Sequence, residues 1–373
     1  MLVSRRRFLY GSTMAAAGLA LAGCTRGGSG ASDRLRILTW PEYIDVDDGA
    51  DLGTVSRFRR SSGLRVDYVE EYNGNEEAFE TLLEPTLGKG KRTGYDVIVP
   101  TYWAVARMLD EGWLEPVPLE RVPNHVNVDP AFLGMPWDRG GRFHMPWQVG
   151  ITGIAYNPRL TGREIRSVAD LLDPRLRGRV GLVSEMRETV GLLMLTQGAD
   201  PSRVTAAAAH GAVDRLEAIV ASGQIARFTA NEFVDALKAD EFAACLAWSG
   251  DIVQLQAERP DIRFVIPDEG GIRWFDSMVI PKGAQNVAGA GDWMNFVYDP
   301  ENAARITVGV QYISPVIGVR EALDAMGNGA LADNPILFPD DETRRRLYFW
   351  AGLDRAEEDE VQSRFSALVD GLA

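Results

Sequence analysis

The chain has 373 residues, enough for about two domains at roughly 100 to 200 residues each. Hydrophobic residues make up 46% and charged residues 25%, the balance of a globular body with a sizeable core, while 53 Asp and Glu against 39 Lys and Arg give a net charge of −14. Such acidity disfavours nucleic acid and anionic substrates as partners and favours, weakly, a cationic one.

At the N-terminus, Ser4-Arg5-Arg6-Arg7-Phe8-Leu9 precedes a modestly apolar run from Tyr10 to Leu21, then Ala22-Gly23-Cys24. Charged head, apolar run and small residues follow in the order of an export signal. The paired arginines with Phe8 and Leu9 are similar to a twin-arginine signal. Leu21-Ala22-Gly23-Cys24 resembles the bacterial lipobox, in which cleavage precedes a cysteine that receives lipid. The expectation is a signal peptide over 1–23 and a lipid-carrying flexible tether over 24–34, rich in Gly and Ser. An uncleaved membrane anchor is the competing reading, weakened by the shortness and Gly/Ala content of the segment. Loss of Arg5, Arg6 and Arg7 on cleavage takes the net charge to −17. With Cys24 lipidated, Cys245 has no intrachain partner; its apolar neighbours, Phe242 to Trp248, predict a buried small hydrophobe.

Beyond the tether, Leu35-Arg36-Ile37-Leu38 alternates as a strand and ends at Trp40-Pro41-Glu42-Tyr43, because Pro41 cannot donate to a ladder. Helical spacing follows at Leu52, Val55 and Phe58 and at Phe79, Leu82 and Leu83. Tyr95 to Val99 reads as a buried strand with Thr101-Tyr102-Trp103 just past its end, and 104–109 as helix. Repeated strand, polar-aromatic corner and helix make an α/β pattern with a site on the strand-end rim. Phe143 to Gly150 leads into a strand over Ile151 to Asn157, and Gly150 and Gly153 near its start suit a crossover to a second lobe. Val180 to Val183 is a strand that opens into Ser184-Glu185-Met186-Arg187-Glu188 and an apolar helix. Glu185 and Glu188 share a face if the helix has begun; otherwise Ser184 is its N-cap and the acids merely favour the helix N-terminus.

Helix is predicted for 206–219 and strand for 242–247, which ends at Trp248-Ser249-Gly250-Asp251. Asp261 to Ile266 is another strand. Gly270 to Pro281 contains Trp274 and Asp276, which lie on one side of an extended chain because alternate residues share a face. An aromatic wall beside a carboxylate suits an organic cation. A half-buried strand with an incidental Trp and a turn Asp stays open as the plainer reading. Helix at 303–308, the Tyr312-Ile313-Ser314-Pro315 corner and a helical tail from Glu342 complete the pattern.

Taken in register, Thr39-Trp40-Pro41-Glu42-Tyr43, Tyr95 to Pro100, Glu185 to Glu188 and Glu269 to Ser277 resemble the bacterial polyamine-binding proteins, the spermidine and putrescine receptors of ABC importers. The resemblance spans roughly residues 35 to 350. It implies an α/β fold of the periplasmic-binding-protein type II kind, two lobes joined by crossover hinges around a ligand cleft, with 35–150 plus 275–320 in the N-lobe and 151–274 plus 321–373 in the C-lobe. By position it implies ligand contacts at Trp40, Glu42, Tyr43, Thr101, Trp103, Glu185, Glu188, Trp248, Trp274, Asp276 and, across a gap, Tyr312. Thr101 stands where a relative has Ser, Trp103 where it has Tyr, and Glu185 where it has Asp; a C-terminal glutamine has no counterpart, the register there reading Phe349-Trp350.

The resemblance further implies an exported, lipid-anchored monomer that gives a polyamine to ABC permease subunits, with no cofactor, no metal and no nucleic acid. Another small organic cation on the same fold is the nearest alternative. A secreted lipoprotein enzyme is the reading from a different class, and against it stand only three histidines, His125, His144 and His210, without close metal-ligand spacing, and the absence of G-x-S-x-G and H-E-x-x-H. Fold relatives that bind ferric ion use clustered tyrosines and carboxylates, whereas the aromatic positions here are mostly Trp, which cannot ligate iron.

Overall fold

The computed structural model describes residues 32–72 and 74–372. The expected signal segment 1–23, Cys24 and the tether as far as residue 31 lie outside the described residues.

The chain begins in strand β1 (Arg34–Leu38), followed by helix α1 (Thr54–Ser62) and strand β2 (Arg65–Val69), which pairs with β1 in parallel. Helix α1 stops at Gly63, whose φ of 74° lets its N–H reach back to the Arg59 carbonyl, a turn that a side chain would strain. After a helical stretch over 75–89 comes β3 (Val97–Ile98), parallel to the other edge of β1, and helix α2 (Tyr102–Asp110). The ladder at β3 is shorter than the strand expected over 95–99. Asp96 is drawn aside as a buried anchor, its carboxylate accepting from the backbone N–H groups of Arg36, Gln285 and Asn286.

Along β1 and β3 neighbouring residues take opposite faces. Ile37 and Val97 join one core cluster, Leu38 and Ile98 another, so both faces of this small sheet are covered. Double coverage is what a parallel sheet requires and explains the near-continuous apolar sequence of its strands.

Strand β4 (Leu114–Glu115) leads to β5 (Met145–Tyr156), buried along its whole length. Then follow β6 (Val180–Val183), α3 (Met186–Thr196), α4 (Ala206–Ala221), β7 (Ile225–Thr229), β8 (Ala244–Trp248), α5 (Ser249–Glu258), β9 (Arg263–Val265) and β10 (Gly271–Met278). Next come β11 (Ile280–Pro281), paired with β4, and helices α6 (Val287–Val297), α7 (Pro300–Val310) and α8 (Val319–Ala325). The tail departs from the single helix expected from Glu342. A short helix over Asp341–Arg345 is followed by β12 (Leu347–Tyr348), and α9 (Arg355–Gly371) begins only after the Asp354 cap. The second sheet has seven strands, in the order β12-β10-β5-β8-β6-β7 with β9 also on β5.

β5 and β10 run antiparallel and connect the two halves of the molecule. Val149 and Phe275 belong to the core under the first sheet, whereas Ile154 and Ile272 belong to the core that holds β6, β8, α3, α4 and α9. The change falls at the Gly150–Trp274 register pair. A Cβ on Gly150 would lie 2.2 Å from the Trp274 ring, so glycine is needed for the indole to lie over this backbone. Val319, Leu323 and Ala332 pack into the first of these cores, which moves 321–332 away from the half to which the sequence had assigned it. Cys245 is fully buried in the other, as expected of a small hydrophobe, and burial pushes its thiol pKa up.

Candidate ligand cleft

Most of the side chains expected to contact a ligand sit where strands end. Trp40, Glu42 and Tyr43 follow β1, Thr101 follows β3, Glu185 and Glu188 follow β6, and Trp248 closes β8. β10 and the Tyr312 corner complete the enclosure. Trp40, Glu42, Tyr43, Thr101, Glu185, Glu188, Trp248, Trp274, Asp276 and Tyr312 line one cavity of about 370 Å³.

Asp276 is its buried charge. Tyr43 and Thr101 each donate a hydroxyl to it at 2.7 Å, one per carboxylate oxygen, and an antiparallel bridge between Thr101 and Asp276 fixes the backbone. Burial nevertheless outweighs both donors and pushes the Asp276 pKa up to about 7. The β10 register shifts between Phe275 and Ser277, yet Trp274 and Asp276 both face the cavity as alternate residues should.

Glu188 takes its orientation from a relay. Trp274 Nε1 donates to Thr152 Oγ1 at 3.1 Å, Thr152 donates to Glu188 Oε2 in a short contact, and Trp248 Nε1 donates to the same oxygen at 2.7 Å. Glu185 is the N-cap residue of α3 and makes no side-chain cap, so the cap is one residue later than Ser184 and the carboxylate is left for the cavity. Burial raises the pKa of both glutamates. Glu185 adds its own repulsion to Glu188, while the Arg187 charge pulls Glu185 back down. Glu42, with a left-handed φ of 55°, stands exposed at the mouth.

Four lining residues had not been singled out: Pro41, Asn231, Asp251 and Gln254. Asp251 matters most, since Tyr312 donates to it at 2.9 Å and burial lifts its pKa to about 6. It stands in the first turn of α5, where an acid also reads as an ordinary partner of the helix dipole, so its only sequence signal was the three-residue spacing from Trp248. Thr152, second in line behind the cavity, carried no sequence signal at all.

The aromatic walls are mutually braced. Trp248 and Trp274 meet edge to face with centroids 6.2 Å apart, Trp274 and Tyr312 lie 5.7 Å apart, and Tyr43 and Tyr312 5.5 Å. Trp40 is tied by its indole N–H to the Val99 carbonyl at 2.8 Å and packs on Tyr72. Gly250 lets Tyr312 approach: a Cβ there would lie 2.3 Å from the ring.

Trp103 is the exception among the expected residues. It faces away from this cavity into a larger one of about 670 Å³, which also holds Phe349 and Trp350. The reason is local: the Arg187 guanidinium lies 3.3 Å from the centroid of the Trp103 ring and takes its face. Size does not make the larger cavity the better site. Within it Arg107 pairs with Glu76, Arg187 with Glu358 and Arg355 with Asp359, so each of its arginines already has a carboxylate partner. The smaller cavity has five carboxylates, Glu42, Glu185, Glu188, Asp251 and Asp276, and no Lys, Arg or His in its lining. Among the described residues no three His, Cys, Asp or Glu are grouped to hold a metal ion, so these acids are spread along the cavity instead of converging on one point.

The family model for bacterial extracellular solute-binding proteins matches residues 95–345. The chain belongs to that family. This solute-binding protein is 26% identical over 310 residues to spermidine/putrescine-binding periplasmic protein 1 of Haemophilus influenzae, covering 83% of this chain and 81% of that one. It is 27% identical over 330 residues to the spermidine/putrescine-binding periplasmic protein of Escherichia coli, covering 88% and 89%. Among solved structures, the spermidine/putrescine ABC transporter substrate-binding protein of Streptococcus pneumoniae superposes with a TM-score of 0.76 at 25% identity, covering 92% of this chain and 100% of that one. The fold is therefore the periplasmic-binding-protein type II fold, and membership of a solute-binding family sets aside the enzyme reading.

Proposed function

We propose that this solute-binding protein captures a linear polyamine of the spermidine and putrescine class and delivers it to the permease of an ABC transporter. The carrying observation is a cavity with five carboxylates, aromatic walls and no basic side chain. Burying carboxylates without counter-ions is costly, and a polyamine supplies ammonium charges at intervals separated by methylenes. Asp276 takes one ammonium, Glu185 and Glu188 another, and the faces of Trp274, Trp248 and Trp40 cover the methylenes. Asp251 and Glu42 serve cations at the outer end. The names of the H. influenzae and E. coli relatives support the same ligand class.

In this reading export follows the twin-arginine route, Cys24 carries lipid, and a monomer works on the outer face of the cytoplasmic membrane or in the periplasm. No helix among the described residues is long and apolar enough to cross a membrane. The two lobes hinge where β5 and β10 cross, at Gly150 and Trp274. Native mass spectrometry of the protein purified without added ligand tests the ligand assignment. A released species of diamine or triamine mass is expected. A different organic cation displaced by neither spermidine nor putrescine would overturn the polyamine assignment while keeping the receptor.

A further inference from the structure

Arg187 lies between the two glutamates of the cleft, yet its side chain leaves them and is only 7% exposed on the other side. Its Nε donates to Glu358 at 2.7 Å, and Glu358 is itself fixed in its own half by the Leu353 N–H at 2.8 Å and the Trp350 indole at 3.3 Å. From the half that contains β1, Trp103 offers its ring face at 3.3 Å and Glu76 an oxygen at 3.8 Å. Trp103 is backed by a stacked Phe79, centroids 6.4 Å apart.

We propose that Arg187 is a positioning residue that clamps the two lobes together and thereby holds Glu185 and Glu188 over the bound cation. The inference rests on the polyamine reading above. A planar guanidinium can stack on an indole and pair with a carboxylate at once, which a lysine ammonium cannot do in the same geometry. Because residue 187 directly precedes Glu188 in the first turn of α3, a shift of Arg187 off Trp103 carries the ligand carboxylates with it. The clamp acts once the lobes are closed, so its loss speeds ligand dissociation.

Removing Arg187 also makes the cleft more negative, which would speed association of a cation. The two effects fall on different rate constants. Stopped-flow fluorescence with spermidine as probe, on wild type, Arg187→Gln, Arg187→Lys and Trp103→Leu, separates them. Trp103→Leu changes no charge and should raise koff about tenfold with kon unchanged, the size of effect that a desolvated cation-π contact supports. Arg187→Gln should raise koff at least as much while kon rises, and Arg187→Lys should fall between wild type and Gln. The double variant should dissociate no faster than the faster single one, since one contact is being removed twice. If Arg187→Gln does not fold, Trp103→Leu carries the test from the opposite lobe. Unchanged koff in a folded Trp103→Leu would overturn the clamp and leave the polyamine reading intact. Wild-type protein that binds no spermidine would reject that reading, and the clamp with it.

Discussion

Asp276 is a carboxylate that folding places at a disadvantage. Its pKa is about 3.8 in an unfolded chain and about 7 here, so as pH rises from about 4 the unfolded state gives up its proton first and folding is opposed. The penalty is complete above about pH 7. Asp276→Asn should therefore raise the Tm of the ligand-free protein at pH 8, by about 2 to 4 °C for each kcal/mol relieved, and leave it nearly unchanged at pH 4. The same change should weaken spermidine binding by about one and a half to three and a half orders of magnitude, because removing one partner of a desolvated charge pair costs about 2 to 5 kcal/mol. Differential scanning calorimetry at the two pH values, with a binding titration, checks both; a variant that loses stability at pH 8 would contradict the burial argument. Thr152→Val should act more gently. It removes one donor to Glu188 and strands the Trp274 N–H, so spermidine affinity should fall roughly tenfold, an unmet buried hydrogen bond costing about 1 to 3 kcal/mol. A fluorescence titration that finds no loss would remove Thr152 from the relay. The sequence made Asp276 legible through its spacing from Trp274, whereas Thr152 is one hydroxyl on a buried strand and acquires meaning only when β8 and β10 flank it.

Strand ends were the most readable elements, because aromatic and acidic residues directly after an apolar run have few structural uses. Trp40, Thr101 and Trp248 were marked that way, and all three line the cavity. Trp103 satisfied the same pattern and still turned away, since α2 begins at Tyr102 and its neighbour two positions on from Thr101 is carried round the helix, where Arg187 meets it. A contact between residues 84 positions apart leaves no trace in either local sequence. The tail was misread for a related reason: β12 gains its place by pairing with Gly271 and Ile272, not from its own two residues. Gly250 tests how an element positions a wall. Alanine would favour helix α5 by about 1 kcal/mol, but its Cβ would press on Tyr312, and overpacking costs about 1 to 3 kcal/mol. The clash should win at 2.3 Å. Gly250→Ala is expected to lower Tm and, by displacing Tyr312 from Asp251, to weaken spermidine binding at least tenfold; a variant with raised Tm and unaltered binding in thermal melts and titrations would show that the ring moves aside freely.

At the scale of the molecule, the acidic surface, the crossing strands and the cavity act together. On the proposed reading, a net negative protein draws cations toward a cleft that has no basic residue in its lining, and the bound cation replaces protons that burial has kept on the carboxylates. Asp251 at about 6 and Asp276 at about 7 both titrate near neutrality in the free protein, while polyamine ammonium groups, like that of lysine, hold their protons to about pH 10. Binding must therefore expel protons around pH 6 to 7, and affinity must rise with pH until the carboxylates are fully ionised. Titration calorimetry with spermidine at pH 6.5, in two buffers of different ionisation enthalpy, reads this directly. The account predicts tight one-to-one binding, a buffer-dependent heat corresponding to release of at least one proton per ligand, since burial also raises the pKa of Glu185 and Glu188, and affinity that increases between pH 5.5 and pH 8. Absence of binding, or binding whose heat is the same in both buffers and whose affinity does not change with pH, would contradict it.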